Sequence, residues 1–272
     1  MIKAKAVKLD GKFIQNIKLV GKKLVFFAVA PVFLTSCQVP SFFAYKGSTT
    51  QAQAEYKLYT GFNLAAMIVG IFVWALILWS IFRYRRRKGD ESMPAQFHEH
   101  RFIEFLYTII PLITVLVLFY FTVITENQVD AVSTTPNVRV TIVAFQWGWE
   151  FKYMNSSGNS VIATVYGNDG GGNFSTSTVP VAYLPVGETV TVTLESLDVV
   201  HGFYVPEFNF SRYAQPGHIN TFDLNIVNAG YYPGRCSQFC GVYHTEMQFG
   251  IKAVSPQKFE SWLKSHSSAP TK

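Results

Sequence analysis

Cys236, Cys240, His244 and Met247 fall within twelve residues, in the pattern Cys-x3-Cys-x3-His-x2-Met. Two thiols, an imidazole and a thioether so close in sequence suit a soft or borderline metal ion, and copper stands at the top of the divalent affinity order. A further imidazole, His201, lies 35 residues before Cys236 and precedes a Phe-Tyr-Val-Pro segment. Four arrangements are compatible with these residue types. Cys236 and Cys240 could close a structural disulfide, which an outward-facing domain would keep oxidised. They could join His201 and His244 around zinc, in a Cys2His2 site that has no use for the Met. A single blue-copper centre would take one Cys and leave the other idle. Two thiolates bridging two copper ions, with one His on each metal and the Met and a backbone carbonyl as weak outer ligands, employ every group. That binuclear arrangement is the sharpest expectation.

Donors so far apart in sequence must be gathered by the fold. From about Glu126 onward the chain consists of short β-branched and aromatic runs broken by Gly, Pro and Asn. The clearest are Asn137–Tyr153, Ser160–Tyr166, Glu188–Glu195, Ile219–Val227 and Met247–Val254, with period-2 alternation sharpest in Thr189–Leu194. They predict a β-sandwich or barrel. Two connections can meet at one end of a sandwich, as ligand loops do in blue-copper proteins. Within this domain only Pro256 to Ser265 reads as a helix, with Pro at a favourable first position. The Gly-rich stretch 167–173 lacks a following Lys-Ser/Thr and helix, so it reads as a flexible surface loop, not a phosphate cradle.

Ahead of the β-rich part, Leu58 to Phe82 and Phe102 to Ile124 are apolar and long enough to cross a bilayer as helices. Between them lies Arg83-Tyr84-Arg85-Arg86-Arg87-Lys88. Short loops rich in Lys and Arg stay in the cytoplasm, which puts both outer ends of this hairpin, and the β-rich domain, on the extracytoplasmic face. The Lys-rich N-terminus and the short apolar run Leu24 to Leu34 read as a signal peptide. It ends in Leu34-Thr35-Ser36-Cys37, which resembles the lipobox of bacterial lipoproteins and makes Cys37 the expected lipidation site. The expected layout is thus a lipoprotein-type signal peptide over 1–36, an outer segment over 37–57, a transmembrane helical hairpin over 58–125 and an extracytoplasmic domain over 126–272. The whole is a membrane protein with a two-helix hairpin and an all-β sandwich or barrel domain.

Charge sharpens the exclusions. The formal charge is +6, yet residues 1–36 alone carry seven Lys and one Asp, so the remainder is neutral. A nucleic-acid binder keeps its cations on the folded domain; here the β-rich part carries a slight acidic excess, and no nucleic acid is expected. With 49% apolar residues, 24 Phe and 14 Tyr, the chain has ample apolar surface to fold.

Taken with Asp198-Val199-Val200-His201 and Ala214-Gln215-Pro216-Gly217, the Cys-x3-Cys-x3-His-x2-Met pattern closely resembles subunit II of haem-copper cytochrome c oxidases. The resemblance extends to the aromatic segment Gln146-Trp147-Gly148-Trp149 and to Glu104-x-x-Tyr107-Thr108-x-x-Pro111 in the second apolar stretch. It covers nearly all of the chain after the signal peptide. The anchor, the Arg cluster and Tyr232-Pro233-Gly234-Arg235-Cys236 look like Gram-positive, actinobacterial members.

The resemblance implies a cupredoxin domain carrying the binuclear CuA centre. Cys236 and Cys240 would be bridging thiolates, and His201 and His244 terminal imidazoles. Met247 would be a weak ligand to one copper, and the Gln238 backbone carbonyl a weak ligand to the other. Trp147 aligns with the aromatic through which electrons enter from cytochrome c, whereas Trp149 reads as packing. Glu104 aligns with a carboxylate at the mouth of a proton path. Where Gln238 stands, the family usually has a Glu that reaches a magnesium ion shared with subunit I, so the Mg site is expected to be weakened or absent. The implied partners are subunit I, with haem a and the haem a3–CuB oxygen-reducing site, and subunit III. No Cys-x-x-Cys-His occurs, so the electron donor is a separate cytochrome c or a membrane-bound cytochrome cc of a bc complex. The expected activity is that of an aa3-type oxidase coupled to proton pumping, with oxygen reduced in subunit I. A quinol oxidase subunit II would lack the copper ligands, and a copper chaperone would need neither the Met nor the membrane hairpin.

Overall fold

The structure is a computed structural model that describes residues 44–86, 89, 93, 96, 98–167 and 179–267. Cys37, the expected signal peptide and the Gly-rich stretch after Gly167 lie outside the described residues.

Among the described residues two long helices come first, α1 (Thr50–Arg83) and α2 (Arg101–Val129). Helix α1 starts eight residues before the expected span because Thr49 caps it: its hydroxyl accepts the Ala52 N–H at 3.0 Å, satisfying one of the orphan donors of the first turn. At the start of α2, His100 and Glu104 cap reciprocally. The His100 ring accepts from the Ile103 N–H, and the Glu104 carboxylate accepts from the His100 N–H at 3.2 Å. Both helices present large apolar side chains outward through their middles, among them Ile71, Phe72, Trp74 and Phe119. In water that arrangement would be strongly unfavourable; in a bilayer it is what a spanning helix requires.

Among the described residues ten strands follow: β1 (Val138–Phe145), β2 (Gly148–Met154), β3 (Val161–Gly167), β4 (Val181–Pro185), β5 (Thr189–Ser196), β6 (His201–Val205), β7 (Phe210–Ala214), β8 (Asn220–Asn225), β9 (Gly230–Cys236) and β10 (Gln248–Val254). They form two five-stranded sheets, ordered β3-β2-β1-β5-β8 and β4-β10-β9-β6-β7. The alternation along β5 buries Val190, Val192 and Leu194, and the facing sheet answers with Phe203, Val205, Phe249 and Ile251. Phe203 stacks on Phe249 at 4.8 Å, and Trp149 meets both edge-on. Each such buried side chain contributes about 1.5–3 kcal/mol, so this aromatic cluster is a main support of the end of the sandwich that carries the thiols.

The stretch 137–153 is two strands, not one run: the chain reverses at Gln146-Trp147, and β1 and β2 pair as a hairpin closed by Phe145 opposite Gly148. Strand β9 contains Pro233-Gly234, and the Phe249 ring packs directly on Gly234 where a side chain would not fit. The closing helix α3 (Pro256–His266) sets Phe259 and Trp262 against Tyr153 and Tyr183.

Candidate metal centre

His201 is the first residue of β6 and Cys236 the last of β9, and the two strands pair antiparallel with Phe203 opposite Cys236. The ladder therefore delivers an imidazole and a thiol to the same end of one sheet. From Cys236 the chain loops out, makes a single 3-10 turn at His244–Glu246, and re-enters as β10. That loop carries Cys240, His244 and Met247. It is fastened to the sheet by the Ser237 N–H donating to the Gly202 carbonyl at 2.9 Å and by the Cys236 N–H donating to the Met247 carbonyl at 3.0 Å.

Cys236 and Cys240 are free thiols with their sulfurs 3.8 Å apart. This separation excludes the disulfide in the structure, since a bond needs about 2.0 Å. The two sulfurs are nonetheless close enough to share one ion at the ~2.3 Å typical of metal–thiolate bonds. His201 Nδ1 approaches Cys236 Sγ at 4.0 Å, and His244 Nδ1 approaches Cys240 Sγ at 3.5 Å. Met247 Sδ lies 3.8 Å from Cys240 Sγ, and the Gln238 carbonyl oxygen 3.1 Å from Cys236 Sγ. All six expected donor groups thus gather around one thiol pair, with no carboxylate among them. Thiols, thioether and imidazoles make a soft set that fits copper and offers little to a hard cation.

The electrostatics favour a bound cation. Burial opposes the Cys236 thiolate, but hydrogen bonds from His201 and the Gly202 N–H hold its pKa down to about 7. Burial and the adjoining Cys236 thiolate push Cys240 up to about 12. One proton leaves readily, and the second is held until positive charge replaces it.

Several supporting residues carry no signal in the ligand spacing. Asp198 accepts from the far nitrogen of His201 at 2.8 Å, from the Gln146 N–H at 2.6 Å and from the Val199 N–H at 2.6 Å. Burial works against this carboxylate, yet those hydrogen bonds hold its pKa below the ordinary aspartate value. For His201, burial disfavours the charged ring, but Cys236 and Asp198 outweigh it and raise its pKa. Gly202 is required by close approach: a Cβ there would lie 2.2 Å from Ser237 Oγ and 2.8 Å from the Gln238 nitrogen. An Asp three residues before a ligand His was the available clue for Asp198; the Gly202 requirement exists only once β6 lies against the ligand loop.

Trp147 is half-buried, and its indole N–H donates to the Cys240 carbonyl at 3.1 Å, which the Gln146 side-chain amide also reaches at 2.8 Å. Its ring meets Tyr243 edge-on at 4.9 Å. Trp149 is fully buried and donates to the Met247 carbonyl, as a packing residue does. Glu104 stands apart from this cluster, at the start of α2.

Residues 41–124 match the family described as cytochrome C oxidase subunit II, transmembrane domain, and residues 138–254 match cytochrome C oxidase subunit II, periplasmic domain. A protein of Streptomyces avermitilis named probable cytochrome c oxidase subunit 2 is 35% identical over 242 residues, covering 79% of this chain and 76% of its own. Cytochrome c oxidase subunit 2 of Mycobacterium tuberculosis is 30% identical over 264 residues, covering 80% of this chain and 73% of its own. That of Corynebacterium diphtheriae is 30% identical over 274 residues, covering 83% and 76%. Two membrane-spanning helices, an extracytoplasmic β-sandwich with copper-site residues at one end, and these actinobacterial likenesses together place the chain in the cytochrome c oxidase subunit II family.

Proposed function

We propose that this subunit receives electrons from a cytochrome c, free or membrane-bound as the cytochrome cc of a bc complex, at a binuclear CuA centre. It hands them to haem a in subunit I of an aa3-type, proton-pumping oxidase. The observation that carries this reading is the convergence of Cys236, Cys240, His201, His244, Met247 and the Gln238 carbonyl around a pair of free thiols. Copper held there would supply one-electron exchange with little rearrangement. The chain's own contribution is a donor set in which Cys236, Cys240, His201 and Met247 are buried and His244 and Gln238 half-buried: the two thiolates and two imidazoles would hold the copper, with the Met247 thioether and the Gln238 carbonyl as weak ligands. Asp198 fixes the orientation and tautomer of His201 through its far nitrogen. Trp147, half-exposed and hydrogen-bonded to the backbone of a thiol ligand, is the entry point for electrons.

Three further assignments follow the same reading. Gln238 offers an amide where a carboxylate would hold magnesium, so any Mg site shared with subunit I is weak. Glu104, at the cytoplasmic start of α2, lies at the mouth of the proton path. Cys37 carries the lipid anchor on the outer face, with subunit III completing the complex.

The test is the electron-spin and optical spectrum of the purified, copper-loaded chain. A purple, mixed-valence centre with a seven-line hyperfine pattern is expected. Colourless Cu(I), or zinc bound in preference to copper, would overturn the proposal.

A further inference from the structure

Between α1 and α2, near their outer ends, lies a cavity of about 560 Å³. Its walls change character along its length. Gln53, Lys57 and Gln128 line one end, and Phe62, Leu118 and Phe121 the other. Lys57 is the only charged residue in the lining, and among the described residues it forms no ion pair.

Depth supplies the second argument. Arg83 closes α1 at the cytoplasmic boundary, and Lys57 lies 26 residues earlier, about 39 Å along the helix at 1.5 Å per residue. On α2, Gln128 lies 27 residues after Arg101, about 40 Å in the other direction. A bilayer measures ≈ 40–45 Å with its headgroups and about 30 Å across its hydrocarbon. Lys57 and Gln128 therefore sit at the level of the outer headgroups, while Phe62, Leu118 and Phe121 lie at or below the edge of the hydrocarbon. Polar and cationic at headgroup depth, apolar beneath, the cavity has the polarity profile of one phospholipid.

We propose that this cavity is a binding site for an anionic glycerophospholipid of the outer leaflet, with its phosphate at Lys57 and an acyl chain descending between Phe62 and Phe121. A lone cation with no acidic neighbour in the lining selects a net negative headgroup. Gly61, which lines the middle of the cavity, leaves the space for the chain: a Cβ there would meet no atom within 4 Å.

The test uses the assembled oxidase in its own membranes. Photoactivatable phosphatidylglycerol is expected to label peptides containing Phe62 and Phe121, with competition by unlabelled phosphatidylglycerol but not by phosphatidylcholine. Lys57→Gln should abolish that preference, and Gly61→Leu should remove the labelling by filling the cavity. Unchanged haem spectra confirm assembly of each variant. Absence of label at these peptides in the wild type would overturn the proposal. So would equal competition by the two lipids, or a photoreactive group at Phe121 that crosslinks to another subunit in place of lipid.

Discussion

Asp198 shows how much of a metal centre lies beyond its ligands. Its carboxylate accepts three hydrogen bonds, one of them from His201, and so ties the loop before β6 to the turn that carries Trp147. Removing such a partner of a metal-bound His typically weakens metal binding by about 10–100-fold. Asp198→Ala is expected to lose copper to a competing chelator in that range, while Asp198→Asn, which keeps an acceptor, falls between the two. Retention equal to wild type in both would mean that packing against Trp149 alone holds the ring. Gly202 makes a sharper case. Gly202→Ala places a Cβ against Ser237 and the Gln238 nitrogen, and the overlap must be relieved by moving the ligand loop. Overpacking of this kind costs about 1–3 kcal/mol. A lowered melting temperature of the metal-free protein together with a lower copper stoichiometry is the expected outcome.

Elements decide which of these residues were legible beforehand. The hairpin and strands β1, β3, β5, β8 and β10 announced themselves, because long apolar runs and β-branched alternation are properties of the local sequence. The spacing of the donor set was legible for the same reason, since four of the donors fall within twelve residues. Strands β4, β6, β7 and β9 were not, and β4 becomes one by pairing with β10. Strand β6 opens with the ligand His201, β7 is five residues long, and β9 contains Pro233-Gly234; each becomes a strand through its neighbours in the sheet. Asp198 was visible as part of a motif, but its role depends on the far nitrogen of His201, a contact across three residues that spacing does not reveal. Glu104 poses a question at this same scale, for it caps α2 and is also the proposed proton-path carboxylate. The two roles separate experimentally. Glu104→Gln keeps an oxygen acceptor for the His100 N–H, so it should leave oxidase assembly intact and slow turnover. Glu104→Ala should add about 1 kcal/mol of lost capping. Full turnover in the Gln variant would reduce Glu104 to a cap.

The molecule as a whole fixes the copper end of the sandwich relative to the membrane, and it does so through a small number of polar contacts. Gln51 in the first turn of α1 is buried, and its amide donates to Asn225 at the end of β8 at 2.8 Å. The Ser133 N–H, just beyond α2, donates to Asp223 at 2.7 Å, and Arg212 on β7 pairs with Asp130 at the end of α2. The Arg212–Asp130 pair is substantially exposed, so its net contribution to stability is about 0–1 kcal/mol. The buried amide contact adds about 1 kcal/mol. A double variant, Gln51→Ala with Arg212→Ala, should therefore still fold and load copper, and its electron-spin spectrum should match wild type. What it weakens is the placement of the sandwich over the hairpin, still held by the Ser133–Asp223 bond and the backbone bonds of Ser48 to Glu207 and Val227; under the proposed function, transfer to haem a would be sensitive to that placement. Rapid-mixing measurements on the assembled oxidase should show the copper centre reduced at the wild-type rate and haem a reduced more slowly. Equal haem a reduction would mean that contacts with the other subunits, not the junction within this chain, set the distance the electron crosses.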